Sequence, residues 1–509
     1  MSLKKQLAHN TAAQVGGKII STLLGLIAIG ILTRYLGTEQ FGWYITTLAF
    51  LQFFAILIDF GLIPVTAQMM SEVPKEIPDD PHALSSYRAR LMKNLLGFRF
   101  ATAIVGLGIA PIIAIFFPYP IEVKIAILFT TINMLSVSMN QIFIGYYQSK
   151  LSTYIQALGE VVGRIALIIG LVLCLYFQWP FIPVMWAITL SSVVYTTVMW
   201  LYAKKTTSVT LAYDPVLWKK IAIKMWPIAI SIMFNVIYLK GDTIILSLFQ
   251  NQHEVGLYGA AYRVIDIVAQ IAMMIMGLIL PLLAYAWSKK DIATFKSHLQ
   301  LSFNIMMLLA IPMVAILITL SERIMVFVAG EPFRDAAFPL ILLSISVVGI
   351  FIGGIFGHVA VAINRQKETI WVYALTALMT TILYIVFIPI FGITGAAWGR
   401  VFSELCAGIL LYITISKFTS LSLSFDVTIK ALLAGLCMTT VLEIMNTIPF
   451  LVSLTTGLDP YSPTHTLTKG LLLCFSILSG GSVYALTIIL TKAISPETLA
   501  EVLTLKKSS

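Results

Sequence analysis

Residues 337–363 read AFPLILLSISVVGIFIGGIFGHVAVAI, with no Lys, Arg, Asp or Glu. As a helix the run is about 40 Å long, at 1.5 Å per residue. A bilayer core about 30 Å thick takes about 20 apolar residues to cross. The run is too long for a barrel strand and does not alternate. Thirteen more apolar runs accompany it, at 14–36, 43–66, 95–117, 123–147, 158–177, 183–203, 226–249, 259–286, 299–320, 370–391, 393–415, 427–450 and 467–491. The pattern predicts an all-α polytopic membrane protein with 14 transmembrane helices.

Composition agrees. Of 509 residues, 33 are Lys or Arg and 23 Asp or Glu, so only 11% are charged, while 59% are hydrophobic. A soluble domain carries about 25% charged residues and cannot hide so much apolar surface. Disorder is excluded by the same numbers. No hydrophilic stretch leaves room for a soluble enzyme domain. Cys174, Cys406, Cys437 and Cys474 lie far apart in apolar segments, with no metal-ligand spacing, so disulfides and structural zinc are not expected. Lys4 and Lys5 before an apolar run resemble a signal peptide, but the run continues into a second span and reads as an uncleaved first helix.

The basic residues set the orientation. With the N-terminus in the cytoplasm, 23 of the 33 fall on inner connections and 5 on the outer side or its margin (Arg34, Lys124, Arg323, Arg334, Lys469). The remaining 5, Arg99, Arg164, Lys240, Arg263 and Arg400, lie within spans. This is the positive-inside asymmetry. It places both termini in the cytoplasm and accounts for the net charge of +10 without nucleic acid.

A weak internal repeat runs through the chain. Glu39-Gln40-Phe41-Gly42-Trp43-Tyr44 returns as His253-Glu254-Val255-Gly256-Leu257-Tyr258, 214 positions later. Gly145-Tyr146-Tyr147-Gln148-Ser149-Lys150 faces Val361-Ala362-Ile363-Asn364-Arg365-Gln366 at an offset of 216. Six spans separate the copies, so both have the same orientation, as parallel repeats of transporters do. The division expected is 1–204 and 205–415 as two pseudo-symmetric six-helix bundles, with 416–509 as two extra C-terminal helices and a cytoplasmic tail.

Arg34-Tyr35-Leu36-Gly37-Thr38-Glu39-Gln40-Phe41-Gly42-Trp43-Tyr44 resembles the signature of bacterial polysaccharide-biosynthesis exporters, the Wzx-type oligosaccharide flippases. Asp59-Phe60-Gly61-Leu62, Lys240-Gly241-Asp242-Thr243-Ile244-Ile245-Leu246 and Gly392-Ile393-Thr394-Gly395-Ala396-Ala397-Trp398 with Glu404 resemble that family's second, seventh and twelfth spans. The resemblance runs from about residue 8 to 490; the wider superfamily holds lipid II flippases and multidrug exporters. It implies a V-shaped pair of bundles working by alternating access. The implied substrate is a polyprenyl-pyrophosphate-linked glycan, flipped to the outer leaflet of the plasma (inner) membrane. The implied surroundings are membrane lipids and glycan-assembly enzymes. An ion-coupled multidrug exporter is the alternative, and a membrane glycan polymerase or ligase a third reading.

A charge within a span is a functional candidate. Arg263 and Asp266 (i,i+3), Glu160 and Arg164 (i,i+4), and Arg400 and Glu404 (i,i+4) can each neutralise within one helix or line a polar cavity. Lys18 reads as an interface anchor; Arg34 and Arg99 are open between anchor and cavity. Lys240 lies about 20 Å along its helix from Pro227, too deep to snorkel easily, and Asp242 faces away from it. Lys240 therefore lines a cavity or bridges to another helix, with Asp59 as a candidate. Cations suit a diphosphate, which carries negative charge and many acceptors. The substrate-binding candidates are thus Lys240, Arg34, Arg99, Arg263, Arg164 and Arg400. Asp59, Asp242 and Glu404 are candidate ion-coupling groups or charge partners.

Polar residues within spans, among them Asn133, Asn140, Gln141, Asn235, Tyr238 and Gln270, suit either a sugar path or helix–helix bonding. Gly353-x-x-x-Gly357 favours close helix packing, and His358 a structural role over a proton relay. No Walker A, H-E-x-x-H or Gly-x-Ser-x-Gly occurs, so no catalytic residue, metal or cofactor is expected. Energy must then come from gradients or from consumption of product outside.

Overall fold

The computed structural model describes residues 3–59, 61–72, 80–150, 152–419, 423–447 and 463–493. These residues form helices and connecting turns. The helices are α1 (Leu3–Asp59), α2 (Leu62–Ser71), α3 (Pro81–Ile115), α4 (Ile121–Ser149), α5 (Tyr154–Tyr176), α6 (Phe181–Lys204) and α7 (Pro215–Phe249). There follow α8 (Gln252–Ser288), α9 (Ile292–Thr319), α10 (Ser321–Ala329), α11 (Ala337–Ala362), α12 (Ile370–Thr419), α13 (Asp426–Thr447) and α14 (Pro463–Leu490). Among the described residues, 11 helices are long and apolar enough to cross a membrane.

Two of those helices contain a break. Gly37 in α1 has φ 65° and Gly392 in α12 has φ 56°, a region open to glycine and costly for other residues. Both breaks fall at boundaries drawn from hydropathy, between 14–36 and 43–66 and between 370–391 and 393–415. Helix starts are equally local. Asp80 accepts from the amides of His82 and Ala83, and Asp214 from those of Val216 and Leu217. Each Asp is followed by a proline at the first helical position, where a missing N–H costs nothing.

The chain divides into two compact units, Met1–Gly256 and Leu257–Ser509. The repeat had drawn its boundary at 204/205. The difference arises because α7 packs on α1, α2 and α3: the repeat marks a copied sequence, whereas the units mark packing. In the first unit, one end is filled by a cluster that includes Leu62, Met69, Leu91, Leu95, Phe143, Tyr146, Tyr147, Met199 and Ile221, with Tyr202 and Trp218 against it. In the second unit, α11 and α12 pack most extensively, and α13 lies against α9 and α14. A Cβ on Gly349 of α11 would lie 2.5 Å from the backbone carbon of Glu404, so α11 and α12 approach closely there. On Gly353 and Gly357, where the sequence pointed to close packing, a Cβ would meet only ordinary contacts at 3.9 and 3.6 Å. His358 pairs through Nδ1 with the carbonyl of Gly354, 2.7 Å away, a satisfied structural histidine.

Candidate functional site

In the first unit the charges meet between α1 and α5. Lys18 Nζ lies 3.5 Å from Glu160 Oε2, and Gln156 donates to the other oxygen at 3.5 Å. Lys18 is thus a partner of α5 as well as a residue near the span end. Glu160 turns to it, and among the described residues Arg164 has no acidic partner. The Arg164 guanidinium is exposed beside Gly25 of α1, where a Cβ would lie 3.7 Å from its Cζ. Further along α1, exposed Arg34 donates through Nη1 to Gly30 O at 3.1 Å, three residues before the Gly37 break.

Arg99 is turned the other way. It is 1% exposed; its Nε donates to Ser138 O at 3.2 Å and its Nη2 to Gln141 Oε1 at 2.6 Å. A buried cation needs such partners, and Gln141, open between a sugar path and helix–helix bonding, here ties α3 to α4. Asn140 is buried, and among the described residues neither side-chain atom has a partner.

On α7, Lys240 is half-buried and Asp242 fully buried. Asp242 Oδ1 accepts from Thr243 N at 2.6 Å and Thr243 Oγ1 at 3.1 Å. The proposed bridge from Lys240 to Asp59 involves a side chain outside the described residues, as does Asn235.

In the second unit, Arg263 and Asp266 are paired along α8 at 3.7 Å, and Gln270 donates to Asp266 O at 3.4 Å. Arg400 and Glu404 are paired along α12 at 2.8 Å, both nearly inaccessible. The guanidinium of Arg400 lies 5.1 Å from the ring centroid of Tyr262 on α8, a cation–π contact. The fold thus brings Tyr262, beside Arg263, to the Arg400–Glu404 pair, so both i,i+n pairings expected on these helices are present.

A further constellation lies at the turn between the halves of α1. A Cβ on Gly42 would fall 1.8 Å from Gln252 O, and one on Gly256 2.0 Å from Thr38 O. Adding the repeat offset of 214 to Thr38 and Gly42 gives Gln252 and Gly256, so the contact is reciprocal: each glycine meets the copy of the other's neighbour. Thr46 donates to Gln252 Oε1 at 2.7 Å, and Thr38 Oγ1 pairs with His253 Nδ1 at 2.7 Å. Elsewhere, Tyr119 and Ser247 of α7 share a buried hydroxyl pair at 3.0 Å. No single residue type announces this seam. The repeat was its one signal, because a self-complementary contact needs two copies of the same surface.

A family model described as "Polysaccharide biosynthesis protein" matches residues 7–287. A probable low-salt glycan biosynthesis flippase, Agl15, of Haloferax volcanii is 27% identical over 185 residues, 36% of this chain. The match spans 39% of that relative's length. Among solved structures, the lipid II flippase MurJ in an inward closed conformation aligns with a TM-score of 0.72 at 15% identity. That alignment covers 94% of this chain and 99% of MurJ. An inward-facing multidrug resistance MATE family transporter of the MOP superfamily aligns at 0.64 and 13% identity, over 79% of this chain and 94% of the other. A MOP superfamily transporter from Pyrococcus furiosus aligns at 0.56 and 14% identity, over 82% and 96%. At these identities the likeness is one of fold.

Proposed function

Because this chain belongs to the polysaccharide biosynthesis protein family, we propose that it flips a polyprenyl-pyrophosphate-linked oligosaccharide from the inner to the outer leaflet of the cell membrane. The observation that carries this reading is the family match together with cations held inside apolar helices. The similarity to a probable glycan biosynthesis flippase and to the fold of a lipid II flippase supports it.

Arg34, Arg164, Lys240 and Arg263 are the proposed headgroup contacts. Each reaches the surface of its unit in part, and each offers donors to a diphosphate. Arg99 and Arg400 are engaged inside their units, and the proposal gives them positioning roles. Asp59, Asp242 and Glu404 remain the proposed coupling or charge-partner groups. The repeats 1–204 and 205–415 are the proposed moving parts in alternating access, with 416–509 as an addition. Their movement requires the Gly42–Gly256 seam, placed on the outer side by the basic-residue asymmetry, to part and close. A diphosphate carrying about two negative charges is helped outward by about 2.3 kcal/mol per charge per 100 mV, inside negative. Transport without a coupling ion is therefore feasible.

A sidedness assay in proteoliposomes with a fluorescent polyprenyl-pyrophosphate oligosaccharide tests the proposal. Protein-dependent translocation is the expected result. Absence of translocation, with efflux of organic cations by the same preparation, would move the assignment to the multidrug exporters that share the fold.

A further inference from the structure

The end of the first unit that carries residues 150, 204–226 and 72 is rigid and basic. Tyr146, Tyr147, Met199, Ala203 and Ile221 belong to its buried cluster. Tyr147 donates to Met199 O at 2.7 Å, and Tyr146 OH pairs with Thr206 Oγ1 at 2.9 Å. The connector after α6 is strapped to α3: Ala212 N donates to Lys93 O at 3.1 Å, and Arg90 meets Asp214 at 2.5 Å.

Lysines ring this base. Lys150 lies over Tyr146, Lys204 over Trp200 and Lys205 over Tyr202, at 5.9, 5.0 and 4.9 Å from the ring centroids. Lys219 and Lys220 are exposed on the first turns of α7. The nearby acids are occupied, Asp214 by Arg90 and Glu72 by Lys224. Among the described residues, none of these five lysines has an acidic side chain within salt-bridge distance. Val216, Ile223 and Trp226 share the Lys219–Lys220 side of α7, at helical spacing, with Val216 76% and Trp226 57% exposed.

Water would not favour Val216, Ile223 and Trp226 on that side, and hydrocarbon would not favour Lys219 and Lys220. The combination suits the membrane–water boundary, where Trp settles and Lys extends to the phosphates. Acidic headgroups attract such lysines at about 1 kcal/mol each, roughly fivefold in affinity. We propose that this rim is a docking surface for the phosphate headgroups of anionic phospholipids in the inner leaflet. Three of the five lysines, Lys150, Lys204 and Lys205, are held there over aromatic rings, and Lys219 and Lys220 extend from α7 beside them. The proposal rests on the orientation of the chain and not on which substrate is flipped.

The test uses the full chain, purified in mild detergent with equimolar phosphatidylglycerol and phosphatidylcholine. Native mass spectrometry counts the lipids retained. Phosphatidylglycerol should be retained at least tenfold over phosphatidylcholine. Lys204→Gln, Lys205→Gln, Lys219→Gln and Lys220→Gln combined should bring the ratio near one, while the four Lys→Arg changes keep it. Lys289→Gln with Lys290→Gln, on a basic turn of the second unit, should leave the ratio intact. Three results would each overturn the proposal: no preference in the wild type, equal loss in the Lys289/Lys290 variant, or displacement of phosphatidylglycerol by equimolar polyprenyl diphosphate. Persistent preference in a protein that flips no glycan would instead count against the proposed function alone.

Discussion

Lys240, Arg99 and Arg400 are all cations within apolar helices, yet their surroundings differ. Arg99 is enclosed by Ser138 and Gln141. Arg99→Ala removes a charged donor and strands the Gln141 side chain, which should lower stability by about 1–3 kcal/mol; thermal unfolding in detergent measures it. Arg400→Ala takes the paired cation away from the buried Glu404 carboxylate, at a cost of about 3–5 kcal/mol. Replacing both, as Arg400→Met with Glu404→Leu, should recover most of that loss. If the double variant is no more stable than Arg400→Ala, the pair is not coupled as the 2.8 Å contact implies. Lys240→Ala should lower flipping about tenfold or more at matched levels of folded protein, the worth of one charge-assisted hydrogen bond. Unchanged flipping in that variant, at normal protein levels, removes Lys240 from the headgroup set.

At the scale of elements, the seam between the α1 turn and the start of α8 allows no Cβ at either glycine. Gly42→Val or Gly256→Val should keep it from closing. With Thr38→Cys and His253→Cys as reporters and the native cysteines removed, a short bifunctional thiol reagent should link the parent rapidly and the valine variants at least several-fold more slowly. Equal linking would show that the seam relaxes around a side chain. The connector before α7 responds to pH instead. Arg90 and the amides of Leu217 and Val216 hold the Asp214 carboxyl below its ordinary value of 3.8, and Lys224 does the same for Glu72. A carboxylate with a depressed native pKa stabilises above its unfolded pKa, and that stabilisation fades as pH falls through the native value. Amide protection across 205–214, taken relative to the intrinsic exchange rate at each pH, should therefore fall only below about pH 4 and stay flat from pH 5 to 8.

For the whole molecule, the membrane potential is the informative variable. Inside-negative potential should speed outward flipping of a diphosphate-linked glycan in proteoliposomes, and reversing its sign should slow it. A rate indifferent to potential but dependent on a sodium or proton gradient would shift attention to Asp59, Asp242 and Glu404 as coupling groups. An all-helical membrane fold is a property of long segments in a medium without hydrogen-bonding partners, so hydropathy reports on it directly. The pairing of charges between helices is not of that kind. Glu160 had a cation at i+4 in Arg164, yet it meets Lys18, 142 positions away.

The amino-acid order was enough for an all-helical membrane protein, for span boundaries at the places where Gly37 and Gly392 break their helices, and for the Arg263–Asp266 and Arg400–Glu404 spacings. Each of these depends on residues close in the chain or on periodicity, which helix geometry turns into space by fixed rules. Folding alone decided that Arg99 turns inward to Gln141, that Lys18 reaches Glu160, and that Gly42 and Gly256 meet in one seam. Those outcomes depend on which face of each helix its neighbours cover, and that is set by packing between segments hundreds of residues apart.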